Sequence, residues 1–295
     1  MIDILLPTIA QGLLWSPFGP GCLYYLPGTG RGRHDRGRVL FPLGAAVAVT
    51  LMVKGTNPIL AIFAAALAGG LAGLITGFLH TKLKIPALLA GILTMIALYS
   101  VNLRVMGKAN VSLLGQDTAF SVVQDLLGSS YSNAILIMGV IICLFFSVLI
   151  YWFFGTEIGA AIRATGFNPQ MIRAQGVDTD LMLNLGLLLS NALVAVAGSL
   201  VAQSNGFADV GMGVGTIVIG LASVIIGEVL FGTRSFKNSL ISVILGSIVY
   251  RLVIALVLQL GMPPNDLKLF TAVLVALALS LPMFKGKLLG RKVGQ

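Results

Sequence analysis

The chain has 295 residues, of which 57% are hydrophobic and only 10% charged, and its mean hydropathy is +0.98. Soluble domains carry about a quarter charged residues, and a chain of this size cannot hide so much apolar surface from water. A soluble enzyme, a nucleic-acid binder and a disordered protein are thereby excluded. The net charge of +9 is instead the Lys and Arg excess of cytoplasmic loops in a polytopic, all-α membrane protein.

Stretches of about 17–25 apolar residues mark membrane-crossing helices. In chain order they fall at 3–26 (interrupted), 39–53, 58–79, 86–103, 133–154, 181–203, 212–231, 238–260 and 267–284, which makes eight or nine spans. The second is short and is expected to enter the bilayer without crossing it alone. The first has no basic flank or small-residue cleavage site, so no cleavable signal is expected. Glycine, 36 residues in all, clusters in runs such as "AGGLAGLITG" at 68–77, where small residues let helices approach closely in lipid.

Loop charges set the orientation. Arg31, Arg33, Arg36 and Arg38 follow span one, Lys82 and Lys84 span three, and Arg163 and Arg173 span five. Arg234 and Lys237 follow span seven, and Lys285, Lys287, Arg291 and Lys292 span nine. The other exits carry fewer: Lys54, then Arg104 and Lys108, then none, then Lys268. The excess predicts an external N-terminus and an internal C-terminus. Cys22, Cys143, His34 and His80 lie apart, with no metal or redox spacing, and read as packing or incidental residues. In the external loop at 104–132, Thr118 to Leu127 is amphipathic and predicts a surface helix.

The internal loop at 155–180 is the most informative stretch. Thr156 reads as the cap of a helix that begins at Glu157 and ends at Gly166, with Gly166 in the left-handed conformation that suits a helix C-terminus. Asn168 caps a second short helix, Pro169 sits at its first position, and Gly176 ends it. Two capped helices in one loop point to a docking surface, against the plainer reading of a connector whose Arg residues serve only topology.

"AIRATGFNPQMIRAQGVDT" within this loop resembles the cytoplasmic coupling segment of ATP-binding cassette (ABC) importer permeases of the branched-chain amino-acid and ribose type. The following "NLGLLLSNALVAVAGSLVAQSNGFADVGMGVGTIVIGLASVIIGEVLFG" is similar to that family as well, and the resemblance spans about 39–290. It is strongest to a branch paired with predicted amino-acid-binding lipoproteins, some linked to aromatic amino acids. It implies one permease domain over the whole chain, a permease homodimer in the bacterial cytoplasmic membrane, a cytosolic ATPase and an extracytoplasmic solute-binding protein. It also implies that Ala161, Arg163, Ala164, Gly166, Asn168, Arg173 and Gly176 contact the ATPase, with Arg163 and Arg173 facing it. ATP would then be bound by the partner subunit and no cofactor by this chain: "GTGRGR" at 28–33 lacks the Lys and spacing of a phosphate loop.

Ser16 to Leu40 depart from the family, where an apolar helix and a short acidic "D-x-T-V-[DE]-G-S" segment precede "F-P-L-G-A-A". This chain rejoins that pattern at Phe41 to Ala46. Permitted codons for "PGTGRGRHDRGRVL" read one base later give "RVLDVADMTVEGS", which carries the missing segment. A frameshifted gene model is the expectation; a genuine basic loop is the rival.

Polar residues inside lipid are costly and mark pathways or partners. Thr94, Tyr99 and Asn102 fall within two turns of span four, as a solute pathway or as packing polars. Glu228 and Arg251 are candidates for an intramembrane ion pair. An ion-coupled secondary transporter is the alternative function, weakened because Glu228 is the lone acidic residue placed near a span core. No nucleophile–base or His/Asp/Glu spacing supports an integral membrane enzyme.

Overall fold

The computed structural model describes residues 37–128, 131–213, 216–232 and 236–260, with Leu269, Phe270 and Val273 beyond. Ten helices are named in order: α1 Gly37–Val53, α2 Pro58–Thr81, α3 Ala87–Met106, α4 Ala119–Leu127, α5 Tyr131–Gly155, α6 Glu157–Phe167, α7 Pro169–Ala174, α8 Thr179–Asn205, α9 Thr216–Phe231 and α10 Phe236–Gln259. Five of these, α2, α3, α5, α8 and α10, are long and apolar enough to cross a membrane. The expected span at 3–26, nearly all of that at 267–284 and most of the atypical stretch lie outside the described residues. Its last residues, from Gly37, already belong to α1.

The short helix α1 is the most enclosed element. Phe41, Ala45, Ala46, Ala48 and Val49 are fully buried, packed between α2 and α8. Close approach here depends on glycine. A Cβ on Gly198 of α8 would land on the Phe41 carbonyl oxygen, and one on Gly44 would land on that of Ala195. Without water to drive association, such backbone-to-backbone packing holds helices together in lipid. The outward face of α2 carries Leu60, Phe63, Leu67, Leu71 and Ile75, all exposed, as a lipid-facing surface requires.

Several polar residues of the spans bond across helices in this packing. Asn184 Nδ2 donates to Thr81 Oγ1 at 3.3 Å, and Thr76 Oγ1 donates to Thr94 Oγ1 at 3.0 Å. Gln203 Oε1 accepts from the Ala119 backbone N–H at 3.1 Å. That bond ties α8 to α4, whose Thr118–Ser121 capping box completes its first turn. The amphipathic helix expected at 118–127 therefore forms, with Phe120 fully buried against the bundle.

One feature departs from an all-helical chain. Asn110–Ser112 (β1) pairs antiparallel with Phe207–Asp209 (β2), Val111 opposite Ala208. The ribbon joins the outer ends of α3 and α8. A turn of 3-10 helix at Val210–Gly213 then leads toward α9.

Helix directions gather the loops at two ends. One end holds Lys82, Lys84, Arg163, Arg173 and Lys237, together with Glu157, Asp178 and Asp180. The other holds Lys54, Arg104 and Lys108, balanced by Asp117, Asp125 and Asp209. The basic end is cytoplasmic by the charge rule, so α6 and α7 lie on the inner face.

Candidate coupling surface

The elbow that starts this surface is fixed by local chemistry. Thr156 Oγ1 donates to the Phe153 carbonyl at 2.6 Å and accepts from the Gly159 N–H at 3.3 Å. It thereby closes α5 and opens α6. A Cβ on Gly159 would collide with the Phe153 carbonyl and Phe154 Cα, so α6 folds back tightly on α5. Glu157 in the first turn complements the positive end of the helix dipole. Ile162 is buried in a cluster with Ile150, Phe154, Met182, Leu193 and Leu240, which seats α6 on the membrane body.

Asn168 is the joint between the two short helices. Its N–H donates to the Ala164 carbonyl at 2.9 Å, ending α6, and its Oδ1 accepts from the Met171 N–H at 3.1 Å, starting α7. Because Asn168 serves both ends, no left-handed residue is needed before it. Gly166 is accordingly inside α6, and the expected positive φ belongs to Gly176, at +85°. Asp178 then caps α8, accepting from the Asp180 N–H at 2.9 Å.

The expected coupling residues separate by direction. Arg173 points outward, its side chain 70% exposed, donating to Thr179 Oγ1 at 2.7 Å with Asp180 3.8 Å away. Arg163 does not point outward. Its guanidinium lies 4.9 Å over the Phe236 ring at the foot of α10. Ala161, Ala164 and Gly166 of α6 are half-buried, and Asn168 is exposed at the joint with Gly176 beyond it. Two residues that sequence reasoning passed over project into water here: Phe167 is 71% and Met171 54% exposed. Apolar side chains exposed together on a capped loop leave a surface that a partner could cover. The signal available in the sequence was their position, one on each side of Asn168.

The membrane polars do not assemble as the sequence suggested. Thr94 and Asn102 are buried inside the bundle, whereas Tyr99 is 52% exposed on another face of α3. Glu228 and Arg251 are not brought together. Gly227 packs on both Ser242 and Gly246, and Gly246 on Ser223, so Glu228 is level with residues 242–246 of α10. Arg251 lies five residues beyond Gly246 and nine beyond Ser242, about 8–13 Å along the axis at the helical rise per residue, and no ion pair joins the two among the described residues. Glu228 sits within the last turn of α9, at the cytoplasmic end rather than the span core.

The family model described as "Branched-chain amino acid transport system / permease component" matches residues 38–279. The chain is 40% identical over 236 residues to a "Tyrosine transport system permease protein" of Clostridioides difficile (strain R20291), covering 80% of this chain and 77% of that one. It is 34% identical over 244 residues to a protein of Rickettsia prowazekii (strain Madrid E), covering 81% and 84%. It is 29% identical over 175 residues to a galactofuranose transporter permease protein of Escherichia coli (strain K12), covering 59% and 49%. With its span-length helices and capped cytoplasmic loop, this chain belongs to the branched-chain amino acid transport system permease family and is the multi-pass membrane component of an ABC-type transport system.

Proposed function

We propose that this permease imports an aromatic amino acid as a homodimer. Separate cytosolic ATPases grip α6 and α7, and a solute-binding protein delivers cargo to the opposite end. The capped α6–α7 pair carries this reading. It is rigid because Thr156, Asn168 and Asp178 satisfy its ends, and it exposes Phe167, Met171 and Arg173 to a partner. A short rigid element seated on Ile162 moves as one body when it is pulled. ATP is bound and hydrolysed in the partner, and this chain supplies the passage between two copies. The substrate class rests on the relative named for tyrosine transport. Glu228, the acid expected near a span core, lies at a helix end, which weakens ion coupling further.

The test is import of labelled tyrosine into proteoliposomes holding the permease, its ATPase and the loaded binding protein. Accumulation that requires ATP and persists with an uncoupler is the expected result. Accumulation without the ATPase that collapses with the uncoupler would overturn the reading.

A further inference from the structure

Helices α9 and α10 form a hairpin stitched along its length. Gly227 backs onto the Ser242 carbonyl and Gly246 onto that of Ser223, so a Cβ at either would strike backbone. Among the described residues, contacts from this hairpin to α1, α5 and the 3-10 turn are sparse by comparison. A pair of helices tightly bound to each other and loosely bound to the rest moves as a unit.

Among the described residues, the foot of α10 joins this unit to the coupling loop, where Leu240 shares a buried cluster with Ile162 and Phe236 packs beside it. Phe236, the first residue of α10, lies 5.9 Å from the Phe154 ring and 6.1 Å from the Tyr151 ring, both near the end of α5. Arg163 of α6 covers its face at 4.9 Å. The Arg163 Nε is buried and meets no hydrogen-bond partner among the described residues, so the ring face is what holds the guanidinium there. Lys237 repeats the pattern, with its Nζ 5.2 Å over Tyr151. An open pocket of about 450 Å³ lined by Tyr151, Trp152, Phe154, Arg163 and Phe236 borders this joint.

We propose that Arg163 and Phe236 form the joint through which movement of α6 passes to the α9–α10 hairpin during transport. They are positioning residues: neither meets the ATPase or the solute. This rests on α6–α7 being the ATPase-docking element. A cation over a ring face is directional yet has no fixed hydrogen-bond geometry, so it carries a pull while the angle between α6 and α10 changes.

The experiment uses the full transporter in lipid nanodiscs and proteoliposomes with four variants: F236A, F236Y, R163M and the R163M/F236A double. F236A and R163M retain the ATPase on co-purification and retain basal hydrolysis. Their solute imported per ATP falls by roughly 5- to 30-fold, the change expected for losing a largely desolvated cation–ring contact. F236Y, which keeps the ring, restores it, and the double variant is no worse than either single one. Spin labels at Ala160 and Asn238, both exposed, read the joint without transport. Their distance distribution is narrow in the wild type and broad in F236A and R163M. Wild-type import per ATP in F236A, multiplying losses in the double variant, loss of the ATPase from F236A, or an unbroadened distribution overturns the joint. A wild type with a narrow distribution but no ATP-dependent import overturns the transport reading instead and leaves the joint standing.

Discussion

Two glycines four residues apart at the α5–α6 elbow meet opposite surroundings. A Cβ on Gly155 would meet nothing within 4 Å, whereas one on Gly159 would lie on the Phe153 carbonyl and 2.5 Å from Phe154 Cα. The latter is roughly 1 Å inside ordinary carbon–carbon contact. Both obstacles are backbone in the last turn of α5, so α6 must tilt away. Overpacking of this kind costs about 1–3 kcal/mol, and replacing Gly by Ala in a helix returns up to about 1 kcal/mol. The net for Gly159→Ala is about 1–2 kcal/mol against the native elbow, a factor of roughly 5–30 in its population. Hydrolysis stimulated by the loaded binding protein, and import, should fall by that factor while membrane insertion is unchanged. Gly155→Ala should match the wild type. Full stimulation in Gly159→Ala, or loss in Gly155→Ala, would refute the argument that elbow geometry presents the docking helices.

The exposed pair on the loop predicts a partner-specific effect: Phe167→Ala and Met171→Ala should each weaken ATPase co-purification by about 1–2 kcal/mol and leave the thermal stability of the permease alone intact. Gln203→Leu removes the acceptor for the Ala119 N–H; melting of the isolated permease should drop by an amount equivalent to about 1 kcal/mol, with hydrogen exchange rising first in α4. DNA sequencing across codons 15–41 should reveal a one-base shift that restores the acidic segment before Phe41, and an error-free in-frame read would establish the basic loop as genuine.

What was legible in the sequence was local. Thr156 and Asn168 announced their helices because a cap acts within three residues of itself, and the structure forms both bonds. Gly166 misled because a glycine marks a helix end only where the chain needs a left-handed turn, and Asn168 removed that need. The partner of Arg163 was not legible. Its neighbour Phe236 is far away in sequence, and the loop's topology says nothing about which face of α6 the guanidinium takes. The Glu228–Arg251 pairing failed for a related reason. Helix register is set by where Gly227 and Gly246 meet the facing backbone, a property of two helices together. Three-residue strands such as β1 and β2 carry no alternation to detect, and the short length of α1 gave no hint that lipid never reaches most of it.

The β1–β2 ribbon also bears on recognition outside the cell. It is extended at both ends by the Leu113 N–H to the Gly206 carbonyl and the Val210 N–H to the Ala109 carbonyl. Beside it, α4 is anchored through Gln203. These bonds splice separate connections into one plate at the outer end of the bundle. A visiting protein would meet a face shaped in advance, with little ordering entropy to lose on arrival. Discrimination between cognate and foreign visitors then falls to fit and charge, Asp117, Asp125 and Asp209 against Lys54 and Lys108, and not to any folding of the loops around the guest.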